Sequence, residues 1–247
     1  MEMLDGKIAV VTGAAGTMGE AVTRGYLEDG LTVFMVDLVA EKLKALAEEL
    51  GPKSRPLPLD ITDGAAVDAG IATIEKEFGA VDVLANNAGI LSNERIATTS
   101  LDEWNKILGV NLTGAFLMTQ RVLPKMRQRG WGRIVNTSSY SARSGGISSG
   151  ISYTVSKGGM VALTRAVAID TLKDGITCNA VAPAWVKTPM VTVQLTPEQQ
   201  QEVLTKIPVG RFCEPEEFAH TVRFLTSPLA GFITGEVIDM NGGARFG

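Results

Sequence analysis

The chain has 247 residues, 45% of them hydrophobic and 20% charged, with a net charge of −4 and a pI near 5.2. That is the composition of a folded protein with a generous core, and its mild acidity offers no basic face to nucleic acid. Cys178 and Cys213 are too few for a disulfide framework or structural zinc site, the start Met1-Glu2-Met3-Leu4-Asp5 lacks the pattern of a secretory signal, and no apolar run approaches the ~20 residues of a membrane span. The expectation is a cytoplasmic protein with neither nucleic acid nor membrane as partner.

Residues 7–11 form a β-branched apolar run suited to a buried parallel strand, leading into Thr12-Gly13-Ala14-Ala15-Gly16-Thr17-Met18-Gly19. A helical pattern with Ala21, Val22, Tyr26 and Leu27 on one side follows and ends at Gly30. Strand, glycine-rich turn and helix start together suit a diphosphate: glycine lets backbone approach phosphate oxygens, and the first helical turn presents unpaired N–H groups. The second strand, 32–36, ends at Asp37, placed to accept hydrogen bonds from both hydroxyls of a ribose and to repel a 2′-phosphate. No arginine or lysine at 36–39 reverses that preference. Residues 40–50 read as a helix.

The third strand, 55–59, ends in Asp60-Ile61, and a helix with Val67, Ile71, Ile74 and Phe78 follows. Strand 81–85 empties into Asn86-Asn87-Ala88-Gly89, at the carboxyl end where open α/β sheets bind ligands. This alternation predicts an α/β fold: a single-domain, Rossmann-type, doubly wound parallel sheet. Residues 101–128 carry two helical segments, within which Asn111 is a poor helix former, a local inconsistency that points to a function or a kink. Strand 133–137 runs into Ser138-Ser139 and a Gly/Ser-rich loop up to Ile151. The next helix, continuing through Ile169, carries Tyr153 and Lys157 four apart on one face. An ammonium beside a phenol favours the phenolate and turns an otherwise inert tyrosine into an acid/base.

A sixth strand, 176–181, ends at Ala182-Pro183-Ala184-Trp185. From about 190 to 211 the alternation is interrupted by a capped helix start, Thr196-Pro197-Glu198-Gln199, and this segment reads as a short helical lid. A helix over 214–225, a last strand over 237–240 and Asn241-Gly242-Gly243 close the chain, so one domain spans 1–247. His220 points off an apolar helix face, and no metal site is expected.

In this order and spacing, Thr12-Gly13…Gly19, Asp60, Asn86-Asn87-Ala88-Gly89, Asn111, Ser139, Tyr153-x-x-x-Lys157, Asn179…Pro183 and Thr188 resemble the classical short-chain dehydrogenase/reductase family. Gly210-Arg211…Pro215-Glu216-Glu217 and Thr234-Gly235…Gly242-Gly243 fit as well, so the resemblance covers essentially the whole chain. It implies that Tyr153 exchanges the substrate proton, that Lys157 tunes it and bonds the nicotinamide ribose, that Ser139 orients the substrate oxygen, and that Asn111 holds a water leading from Lys157. It also implies an NAD site formed by Gly13, Gly16, Thr17, Met18, Gly19, Asp37, Asp60, Ile61, Asn87, Ala88, Gly89, Tyr153, Lys157, Pro183, Val186 and Thr188. Three departures stand out: Thr17 and Ala184 replace common glycines, and the loop from Ser139 to Tyr153 is about one residue longer than in many relatives.

The expected activity is NAD-dependent interconversion of a small polar secondary alcohol and its ketone. Trp185 is a candidate pocket wall, and Arg95 and Arg143 are candidate ligands for an anionic group on the substrate. Two alternatives stand beside it. One is a 3-oxoacyl-carrier-protein reductase, for which the resemblance implies NADPH and a basic docking patch, against which Asp37 and the acidic balance argue. The other is a non-catalytic dinucleotide-binding sensor or scaffold. The resemblance further implies a homotetramer with 101–128, 155–173 and the final strand at its interfaces.

Overall fold

The computed structural model describes residues 4–147, 149–193 and 196–246. The first half alternates β1 (Ile8–Thr12), α1 (Thr17–Glu28), β2 (Thr32–Asp37), α2 (Ala40–Leu50), β3 (Ser54–Pro58), α3 (Gly64–Glu77) and β4 (Val83–Asn86). Then come α4 (Leu101–Leu108), a π-helical turn (Gly109–Thr113), α5 (Gly114–Arg129), β5 (Gly132–Thr137), the short α6 (Ser141–Ser144), α7 (Ile151–Asp170) and β6 (Ile176–Pro183). The chain ends with α8 (Pro189–Thr192), α9 (Pro197–Leu204), α10 (Pro215–Thr226), a 3₁₀ turn (Pro228–Ala230) and β7 (Val237–Met240).

The seven strands pair in parallel in the order β3-β2-β1-β4-β5-β6-β7. Alternate residues of each strand serve opposite faces, as a period of two requires. Ile8, Val10, Phe34, Val36, Leu84 and Ile134 pack against Val67, Ile71 and Ile74 of α3 and Met118, Val122 and Met126 of α5. Their neighbours Ala9, Val11, Val33, Met35, Val83 and Val135 pack instead against Val22 and Tyr26 of α1, Leu43 of α2 and Phe218, Val222 and Leu225 of α10. Both faces are therefore apolar, which explains why the strands read as continuous hydrophobic runs. β3 is the exception. It forms an edge, its pattern is mostly exposed, and it tolerates Pro56 and Pro58 because an edge strand has spare N–H positions.

Most element bounds fall within two residues of the sequence reading. The Gly/Ser-rich loop holds the additional short helix α6. Asn111 sits in the π-helical turn that joins α4 to α5, so its poor helix propensity marks a true irregularity. Strand order reverses between β1 and β4, and the crevice outside their carboxyl ends is where the candidate site forms. Among the described residues no helix is long and apolar enough to cross a membrane.

Candidate active site

A cleft of about 610 Å³ opens at the carboxyl ends of β1, β4, β5 and β6. Gly13, Gly16, Thr17, Met18 and Gly19 line one end, beside Asp37, with Asn87, Ala88 and Gly89 next to them. Gly13 adopts a φ of +67°, and a Cβ there would come within 2.8 Å of the Ala88 Cα, so the turn needs glycine twice over. The Thr12 hydroxyl fixes the neighbouring turn by accepting from the N–H groups of Asn87 and Ala88, both at 3.0 Å. Gly16 precedes α1 with extended backbone and no side-chain cap, leaving the helix start open to an anion. Thr17 is the first residue of that helix and needs no left-handed conformation, which is why a side chain is tolerated there.

At the end of β2, the Asp37 carboxylate accepts from Ala15 N–H at 3.1 Å and from Val39 N–H at 3.2 Å. Two backbone bonds hold it in place and still leave lone pairs for ribose hydroxyls. A glycine cradle, an open helix start and a fixed carboxylate together could hold a dinucleotide, with the adenosine end at Asp37. Asp60 and Ile61 are not part of this wall. Asp60 closes a turn on the backbone and hydroxyl of Thr62, and Ile61 is buried in the core beneath the close approach of Gly114. Lys42, in the first turn of α2, does line the cleft; the sequence reading stopped at residue 39 and missed it.

The other end of the cleft carries Ser139, Tyr153 and Lys157. Ser138 and Ser139 divide cleanly. The Ser138 hydroxyl donates to the Lys157 carbonyl at 2.8 Å and pins α7 to the sheet, whereas Ser139 Oγ accepts from Ser141 N–H at 3.1 Å. Burial pushes the Tyr153 phenol above its ordinary pKa, and hydrogen bonding with Ser139 draws it back. Lys157 is 3% exposed, donates from Nζ to the Thr137 carbonyl at 2.8 Å, and is pushed down to about 8 by burial. Its Nζ lies 5.8 Å from the centre of the Tyr153 ring. Sequence reasoning assigned the low titration to the tyrosine; in the fold it belongs to the lysine, because both groups are desolvated and burial acts on them with opposite sign.

Asn111 is fully buried and its amide is engaged on both sides. Oδ1 accepts from Ile90 N–H at 2.8 Å, while Nδ2 donates to the Ile90 carbonyl and to Ser156 Oγ, both at 3.0 Å. A Cβ at Gly89 would lie 3.2 Å from Lys157 Nζ and 3.3 Å from Asn111 Oδ1, so glycine lets these three approach each other. Deeper in the sheet, Asn86 donates to Asn136 Oδ1 at 2.9 Å and to Thr119 Oγ1 at 3.1 Å. Asn136 in turn donates to Thr164 Oγ1 at 2.9 Å, which ties α5 and α7 to the strands beneath the cleft.

Pro183, Trp185, Val186 and Thr188 form the remaining wall. Trp185 packs on Tyr140 at 5.6 Å between ring centres, so Tyr140 is a packing partner. The two candidate anion ligands lie elsewhere. Arg95 donates from Nη1 to the carbonyls of Gly146 and Ser149, both at 3.1 Å, and so clamps the loop before α7. Arg143 pairs with Asp239 at 3.4 Å. Neither lines the cleft, and both cations are already matched by acceptors of this chain. Ser141 and Ser149, in the loop after Ser139, do line it, and their hydroxyls are joined at 2.8 Å.

Of the expected lid, Gln194 and Leu195 lie outside the described residues. α9 carries the expected capping box between Thr196 and Gln199 and buries none of its residues. The segment returns to the body where Val209 N–H donates to the Gly242 carbonyl at 3.0 Å. Among the described residues, no three metal-ligating side chains of His, Cys, Asp or Glu come together.

The buried ammonium has a measurable consequence. A lysine whose pKa falls from 10.5 to about 8 on folding opposes folding below pH 8, and that penalty fades as pH rises to 10.5. Relative to wild type, the stability of Lys157→Met should therefore decline by about 3 kcal/mol between those limits. Denaturant unfolding across the range is the check, and a pH-independent difference would mean that the lysine titrates normally.

Comparison with known proteins finds relatives along essentially the whole chain. A sequence profile for the family described as enoyl-(acyl carrier protein) reductase matches residues 13–245. The chain is 38% identical to a 3-oxoacyl-(acyl-carrier-protein) reductase of Aquifex aeolicus, covering 97% of this chain and 98% of that protein. It is 37% identical to an acetoacetyl-CoA reductase of Rhizobium meliloti, covering 97% and 99%. It is also 35% identical to nodulation protein G of Azospirillum brasilense, covering 97% and 98%.

Proposed function

Since the chain belongs to the short-chain dehydrogenase/reductase family, we propose that this oxidoreductase reduces the keto group of a 3-oxoacyl thioester with NADH. The observation that carries the reading is full-length similarity to reductases of that name, joined to a cleft where Ser139, Tyr153 and Lys157 share one wall. The small polar alcohol expected from sequence is less well supported, because its anion ligands Arg95 and Arg143 are engaged away from the cleft. Asp37 argues about the cofactor and not about the substrate, since it stands at the adenosine end. It therefore gives no ground against a 3-oxoacyl substrate, and it favours NAD(H) over NADP(H).

When bound, the dinucleotide supplies the hydride. Gly13, Gly16, Thr17, Met18, Gly19 and Asp37 would hold its adenosine and phosphate parts, and Asn87 to Gly89, Pro183, Val186 and Thr188 the nicotinamide half. Tyr153, kept protonated by burial, donates its proton to the substrate oxygen as negative charge develops there. Ser139 donates a hydrogen bond to the same oxygen, an interaction that strengthens along the reaction. Lys157 places a titratable cation beside the phenol. Asn111 holds Ile90 and Ser156, fixing the floor of the cleft around that lysine.

The segment 190–211 acts as a lid in this reading, supported by Val191, which lines the cleft, and by the helix Pro197–Leu204, which buries none of its residues. A cytoplasmic homotetramer is part of the same proposal; the exposed apolar residues Phe116 and Val155 on α5 and α7 support it, and sedimentation equilibrium is the check. The substrate test is a comparison of kcat/KM for acetoacetyl and longer 3-oxoacyl thioesters against small hydroxy acids and their ketones. The thioesters should be preferred by at least tenfold, and a preference for the small alcohols would restore the reading from sequence.

A further inference from the structure

A second hollow, of about 290 Å³, adjoins the cleft. Ala184 and Trp185 line both, so the two are neighbours across the indole. Ile207, Val209 and Met240 give the second hollow apolar walls. Its polar side chains are already matched within the chain. Arg211 and Glu217 form a paired ion bridge at 2.6 and 2.7 Å, Asp239 meets Arg143, and Asn241 bonds the Arg245 carbonyl and Gly243 N–H. What remains for a guest is apolar surface, because matched polar groups gain little from new partners.

From this adjacency and this lining, we infer that the hollow beside Trp185 is a subsite for the aliphatic tail of the acyl substrate. The inference rests on the 3-oxoacyl reading above and names the part of the substrate that this chain selects. The volume accommodates roughly nine groups at about 30 Å³ each, so it suits a medium-length tail. Ile207 is buried against the Gly242 turn, where a Cβ would come within 2.6 Å of it, so the back wall is firm. Val209 is 60% exposed and stands at the rim. Tail length is then read on one side of Trp185 and chemistry takes place on the other.

Each buried methylene can raise kcat/KM by up to about fourfold. The 3-oxooctanoyl thioester should exceed the acetoacetyl one by at least tenfold in the wild type. Cys213→Leu, which fills the hollow from its wall outside the lid segment, should remove most of that advantage and leave the acetoacetyl rate within about twofold. Equal effects on both lengths, or no advantage in the wild type, would overturn the subsite.

A binding readout keeps this separate from turnover. Cys213 lines the hollow and is half-buried, whereas Cys178 is fully buried, so intact mass after iodoacetamide treatment at pH 9 reports on Cys213. 2-Octanone should slow that alkylation several-fold, and 2-butanone should not. Protection without reduction of any 3-oxoacyl thioester would sink the proposed activity and retain an aliphatic site. Reduction without selective protection would sink the subsite and retain the activity.

Discussion

Replacing Tyr153 by phenylalanine should lower turnover by ~10²–10⁴ while leaving cofactor affinity nearly unchanged. In the proposed mechanism the ring contributes shape and the hydroxyl the proton, so this substitution separates the two. The phenol is buried and pushed above its ordinary pKa, with hydrogen bonding to Ser139 as the opposing influence. Reduction needs the protonated form, so the phenol itself should not limit the rate at neutral pH. An alkaline decline beginning near pH 8 would instead report on Lys157, whose burial places its titration there. The reverse oxidation needs a proton acceptor and should rise over the same interval. Steady-state rates with a quenched-product assay, alongside cofactor titration by fluorescence, are the measurements. Substantial turnover in the phenylalanine variant would remove Tyr153 from the mechanism.

The second large effect concerns cofactor choice. Asp37→Ser combined with Leu38→Arg should shift the ratio of NADPH to NADH efficiency by on the order of a hundredfold. On the proposed reading the Asp37 carboxylate meets the position of a 2′-phosphate, and serine removes that charge while keeping a hydroxyl able to accept the Ala15 N–H. Leu38 is 68% exposed, so an arginine there displaces no core contact. Lys42, on the cleft wall, would supply a second cation. Comparable use of NADPH and NADH by the wild type would contradict the role given to Asp37.

The fold was legible because its signals are local. A glycine turn between an apolar strand and a helix, or an i, i+4 tyrosine–lysine pair, is complete within a few residues. Asn111 was legible for the same reason, as a residue unsuited to its own helix, and the structure places a π-helical turn there. Ser139 could be preferred to Ser138 only by analogy; the physical reason, a Ser138 bond to the Lys157 carbonyl, depends on a residue 19 positions away. The arginines show the limit more sharply. Arg95 meets carbonyls 51 and 54 residues on, and Arg143 meets an aspartate 96 residues on, so neither cation's partner is visible from its neighbourhood. Without partners, both looked available for a substrate anion. The direction of the Tyr153 shift was hidden for a related reason, since helical spacing says nothing about burial. The hollow behind Trp185 is the extreme case, assembled from the turn after β6, the segment before α10, the first turn of α10 and the end of β7.

The central claim is hydride transfer to a 3-oxoacyl thioester at the Tyr153 end of the cleft. It is tested most directly by a single turnover with NADH deuterated at the transferring position and acetoacetyl thioester, with the product read by mass spectrometry. The account predicts one deuterium on the carbon that bears the new hydroxyl, formed by the wild type and nearly lost in Tyr153→Phe. Absence of a hydroxyacyl product, or a product without the label, would contradict it.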